Sequence, residues 1–244
     1  MTRTARVVGL VLALVAGAAL LLPRLASEES RADEVGTDVG SVIFFHPDGM
    51  GVNTWGAVRM MTVGPDGRLN WDRMPHMAVY TGHMKDRLTS TSHGGATVHA
   101  YGVKVLADSY GMDGREFLTA ASGFEGSILQ EAQAAGLAVG MVNSGTITEP
   151  GSGAFAASYP ERYAHEEIAL QIFESGAEVI LGGGEQYFLP DGADGLYGPG
   201  AREDGRDLIA EARDRGYAVV RTREELLALP KTVTRVLGLF AHYH

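Results

Sequence analysis

Apolar runs of five or six residues recur along the chain, each closed by glycine or polar residues and most followed by a stretch of helical spacing. The first, residues 41–45 (SVIFF), has the β-favouring composition of a buried strand. It would deliver the loop 46–51 (HPDGMG) at its C-terminal end, where open α/β sheets build their sites. Helical spacing in residues 123–135 precedes a strand-like run at 137–142. The alternation continues with a helix at 164–174 and a strand at 177–181, stopped by Gly182-Gly183-Gly184. A helix at 204–215, a strand at 217–221, a short helix at 224–229 and a last strand at 236–241 follow. Such alternation predicts an α/β fold, a mostly parallel sheet with helices on both faces. The final strand lies three residues from His244 with no covering helix, so the domain reads as incomplete at its C-terminus.

The N-terminus has a different pattern. Arg3 and Arg6 precede an apolar or small-residue run over residues 7–22, closed by Pro23 and a polar stretch. This is the layout of a secretory signal, with residues 1–32 removed after Ala32 and residues 33–40 as a linker. A retained anchor is the alternative, although the run is short for a spanning helix. The expectation is a periplasmic or secreted protein without a stable membrane span.

Composition narrows the partners. A formal net charge of -10 and the lack of a Lys/Arg cluster argue against nucleic acid. An anionic ligand would need a local site of positive groups, metal or backbone N–H donors. With no cysteine, disulfides, thiolate nucleophiles and Cys-based zinc sites are all excluded.

Two segments carry candidate chemistry. Asp48, between a strand and glycines, is placed for close approach to a metal, although Asp-Gly is also a common turn pair. In residues 88–104 (LTSTSHGGATVHAYGVK), hydroxyl residues precede a helix-like stretch. A serine there faces the positive end of a helix and suits attack on a phosphate, but Ser90, Thr91 or Ser92 would serve equally as an N-cap. Spacing alone leaves both readings open.

Taken together, Asp48-Gly49-Met50-Gly51 and the segment containing Ser92, Thr97 and Gly102-Val103-Lys104 resemble the alkaline phosphatase family. Ser92 falls at the nucleophile position without a gap, Glu149 at a magnesium-ligand position and Arg162 on the arginine that clamps the phosphate. The resemblance implies hydrolysis of small-molecule phosphate monoesters through a phosphoserine, with zinc and magnesium as cofactors. Asp48, Ser92 and Glu149 would be metal ligands, and a homodimer stays open. Some positions depart from the family pattern. Thr91 replaces an Asp that helps hold the arginine, so Arg162 must be oriented from elsewhere. His93 replaces a small residue and reads as a partly exposed polar neighbour, while Gly151 replaces a Thr ligand, with Ser152 next to it.

The family's remaining zinc ligands find no counterpart in residues 190–244, so the chain reads as the N-terminal part of the domain. His242-x-His244 has strand spacing but no carboxylate beside it, a poor match to zinc sets. A non-catalytic exported fragment, and a phosphodiesterase or sulfatase of the same superfamily, are the competing readings.

Overall fold

The computed structural model describes residues 40–244, so the signal and all but the last linker residue lie outside the described part. Residues up to Phe45 form a unit separate from His46–His244. Within the first, residues 41–45 form no strand, contrary to the sequence pattern, and Val42 and Phe45 are 84% and 79% exposed. A parallel strand needs a place in a ladder and cover on both faces, and residues 41–45 are exposed and enter none of the strand pairings found among the described residues.

The second unit begins with helix α1 (Val52–Thr62), which buries no residue, and a 3-10 turn at Asn70–Arg73. Helices α2 (Ser92–Tyr101) and α3 (Ile128–Ala134) lead to strand β1 (Gly140–Thr146). Then come the short α4 (Pro150–Gly153), α5 (His165–Glu174), β2 (Val179–Gly183) and a 3-10 turn at Glu185–Phe188. Helix α6 (Leu208–Asp214), β3 (Ala218–Val220), α7 (Arg223–Ala228) and β4 (Val236–Leu239) complete the order.

Among the described residues the four strands are all parallel, in the order β1-β2-β4-β3. Every β4 residue is buried. Because successive side chains point to opposite faces, β4 is covered on both sides, as parallel sheets require. At the β1 edge burial is partial, with Met141 buried and Val142 exposed.

The core joins Ile168, Ile172 and Phe173 of α5 to Ile180, Leu237 and Leu239 of the sheet and to Leu208 and Ile209 of α6. Burying each such side chain stabilises the fold by roughly 1.5–3 kcal/mol before entropy is counted. Among the described residues, no helix is long and apolar enough to cross a membrane.

Candidate active site

Helix α2 begins where the sequence places its hydroxyl cluster. Thr91 is the N-cap: its Oγ1 accepts from the Gly94 amide at 3.1 Å and donates to the Ala107 carbonyl at 2.5 Å. Gly94 is required here, since a Cβ would meet Met84 Sδ at 2.7 Å and the Ala107 carbonyl at 2.8 Å. Ser92 is therefore the first helical residue, half-buried, at the positive end of the helix dipole. One turn on, the buried Thr97 hydroxyl lies 2.8 Å from the His93 carbonyl and 3.0 Å from that of Ser109, and accepts from the Gly111 amide. These bonds fix the helix against the loop after it.

The turn carrying Glu149 is built on buried polar contacts. Tyr110, fully buried, donates to the Thr148 carbonyl at 2.8 Å, and its hydroxyl occupies the space a Cβ on Gly153 would take. Thr148 Oγ1 meets His165 Nδ1 at 2.8 Å. Glu149 then caps α4 with its carboxylate turned to Arg162, whose Nη2 donates to Glu149 Oε2 at 3.0 Å. Both side chains are about one-fifth exposed, at 22% and 23%. The loop before Arg162 is tied to α5 by Gln171, which accepts from the Ser158 amide and donates to its carbonyl.

Arg162 also reaches the first turn of α2. Its Nη1 lies 3.4 Å from His93 Nδ1, and its guanidinium carbon sits 4.8 Å over the Tyr163 ring. His93 Nε2 lies 3.4 Å from Asp108 Oδ1. The His93 side chain keeps 12% exposure, a partly exposed polar neighbour as the sequence suggested, but Arg162 and Asp108 face its two ring nitrogens. Burial, then the Arg162 charge, hold its pKa below the ordinary value, against the pull of Asp108. A neutral ring with the proton on Nε2 donates to Asp108 and accepts from Arg162.

Asp48 is exposed in a turn whose Gly49 has φ +64°. What fixes that turn is His46, a residue to which the sequence assigned no role. Its Nδ1 is 3.0 Å from His99 Nδ1 on α2, and its ring edge lies 3.4 Å from where a Gly151 Cβ would stand. The Asp48 loop thus abuts both α2 and the first turn of α4. Burial lowers the pKa of His46, opposed by Asp48, and lowers that of His99, with His46 adding to it. The His46–His99 contact has no sequence signal, since the residues stand 53 positions apart.

Asp48, Ser92, Glu149 and Arg162 all lie in one unit, but they do not make a metal site by themselves. Among the described residues, no group of three or more His, Asp or Glu side chains stands in metal-holding geometry, and the Glu149 carboxylate is engaged by Arg162. His244 is used locally, its Nδ1 accepting from the Thr146 amide at 3.2 Å.

Similarity to known proteins agrees with the motifs. A family profile described as alkaline phosphatase matches residues 40–244. The alkaline phosphatase of Gadus morhua is 30% identical over 237 residues, covering 82% of this chain and 50% of that protein. The tissue-nonspecific isozyme of Gallus gallus is 32% identical, covering 82% and 46%. Among solved structures, the cold-active alkaline phosphatase of a Shewanella species superposes with a TM-score of 0.64 at 26% identity, covering 81% of this chain and 45% of that one. The Thermus thermophilus alkaline phosphatase gives 0.57 at 34% identity, covering 67% and 31%. The chain thus spans about half the length of the curated relatives it matches. With the motifs, the parallel sheet and this similarity in agreement, the chain belongs to the alkaline phosphatase family.

Proposed function

We propose that the protein contributes the nucleophile and the phosphate clamp of a secreted or periplasmic alkaline phosphatase acting on small-molecule phosphate monoesters. One observation carries this reading. The Arg162 guanidinium is in contact with His93, the residue next to Ser92, although 69 positions separate the two in sequence. A hydroxyl at a helix N-terminus and a guanidinium fork are thereby set to meet one tetrahedral anion.

In this mechanism Ser92 Oγ attacks phosphorus, the ester oxygen leaves, and water later cleaves the phosphoserine. Arg162 donates from its free N–H groups to the equatorial oxygens, since only two of its five donors face Glu149 and His93. Positioning and electrostatics supply most of the catalysis in phosphoryl transfer. The zinc and magnesium of the family reading would require more ligands than Asp48, Ser92 and Glu149 offer. A structural neighbour, a TAB5 alkaline phosphatase variant, carries Mg in its M3 site. By analogy we assign metal dependence to the reaction, with Asp48, Ser92 and Glu149 as part of the ligand set.

Hydrolysis of p-nitrophenyl phosphate by the full-length protein tests the proposal. Ser92→Ala is expected to lower kcat on the order of 10³-fold or more. Equal rates for variant and parent would remove the assignment. A bis-nitrophenyl phosphate diester assayed in parallel separates monoesterase from diesterase activity.

A further inference from the structure

We propose that His93, held by Asp108, is a positioning residue for Arg162, so that an imidazole next to the nucleophile keeps the phosphate clamp in place. The inference rests on the phosphatase reading of Ser92 and Arg162. It starts from the arginine. A long side chain with a terminal fork loses rotamer entropy when it is held for bidentate contact, and a site that fixes it beforehand binds anions more tightly. Glu149 restrains Arg162 from one side through Nη2. Its second restraint is His93 Nδ1 on Nη1, from the first turn of the helix that bears Ser92.

The imidazole is itself fixed. Its backbone lies in α2, its carbonyl meets the Thr97 hydroxyl at 2.8 Å, and its Nε2 faces Asp108 Oδ1. Asp108 is 77% exposed and also faces Arg87 at 3.5 Å. It therefore adds little binding energy, but it selects the tautomer with the proton on Nε2. That tautomer leaves Nδ1 bare, the only form in which this nitrogen can accept from a guanidinium. A neutral acceptor restrains Arg162 without cancelling its charge, whereas Glu149 partly neutralises it.

Four variants of the full-length protein test this, each checked for an unchanged unfolding midpoint. Two readouts are used: steady-state hydrolysis of p-nitrophenyl phosphate, and calorimetric binding of inorganic phosphate, which needs no turnover. His93→Ala should weaken phosphate binding and raise KM about tenfold while kcat changes less than about threefold, as expected for lost ground-state positioning. His93→Asn, which sets an amide oxygen near the Nδ1 position, should recover most of that loss. In an Arg162→Ala background, adding His93→Ala should have no further effect, because His93 acts only through the arginine. The proposal falls if His93→Ala costs the same tenfold in that background, or if phosphate binding is unchanged in His93→Ala. It also falls if folded His93→Asn behaves as His93→Ala. Unimpaired turnover by Ser92→Ala would overturn the nucleophile assignment alone, since the phosphate-binding measurements still judge His93.

Discussion

The segment carrying Asp48 and the frame carrying Ser92, Glu149 and Arg162 are held by different forces. Between His46 and Thr91 only Met84 is buried. That stretch is ordered by polar and ring contacts: Arg59 with Asp72 at 2.6 Å, Trp55 with Trp71 at 5.6 Å, Asp86 with the Ala107 amide, and His46 with His99. Exposed ion pairs of this kind contribute from nothing to about 1 kcal/mol each. From Ser92 onward, by contrast, helices and strands share a continuous apolar core. The proposed nucleophile and clamp are thus preorganised by packing, while the proposed metal-binding aspartate depends on local turn geometry and an imidazole pair.

The strongest way to break this contrast is to cut into the frame. Ile172→Ala should cost about 2–5 kcal/mol in denaturant unfolding, because Ile172 is fully buried against the sheet. A loss below about 1 kcal/mol would show that the core is not what holds the frame. Thr97→Val removes a buried hydroxyl and strands the Gly111 amide, an expected cost of about 1–3 kcal/mol in the same measurement. Thr91→Ala deletes the α2 cap and should cost about 1 kcal/mol, with faster amide exchange in the first turn of the helix as its signature.

Acid should act on both regions in the same direction. His46, His93, His99 and His165 all have pKa values lowered from about 6.5, burial being the largest cause in each. A depressed native pKa means that the unfolded chain binds more protons, so stability falls as pH drops from about 6.5 toward the native values. The unfolding midpoint is expected to decline over that window, and His165→Asn should flatten the decline. At the small end, Met61→Ala on exposed α1 should shift stability by less than about 0.5 kcal/mol. A larger loss would show that α1 is packed more tightly than its surface indicates.

Much of the frame was legible in the sequence. The strands at 179–183, 218–220 and 236–239 lie within or beside the apolar runs, since buried parallel strands must be continuously hydrophobic, whereas 140–146 starts in its run and continues into polar residues at a partly exposed edge. The same logic misplaced residues 41–45: apolar composition marks a segment able to enter a sheet but does not supply its neighbour. Helix α1 went unread because VNTWGAVRMMT has no apolar face to signal it. At the site, Asp48, Ser92, Glu149 and Arg162 came from the resemblance to the alkaline phosphatase motifs, where spacing alone left an ordinary turn and an N-cap equally open. Their partners did not, because His93 against Arg162 and His46 against His99 are contacts between distant segments. The order β1-β2-β4-β3 was equally hidden, as strand composition does not encode adjacency.

That strand order has a consequence for synthesis. β3 leaves the ribosome before β4, yet among the described residues its strand partner is β4, which also joins it to β2. During translation β1 and β2 can pair early, while β3 waits as an orphan edge with α6 and α7 attached. Insertion of a late strand between two earlier ones is a non-local step of the kind that slows folding and leaves apolar edges open to other chains. Until Leu239 is made, the edge at Val220 therefore has no β4 to pair with, and a chain halted between the two should expose it to other chains.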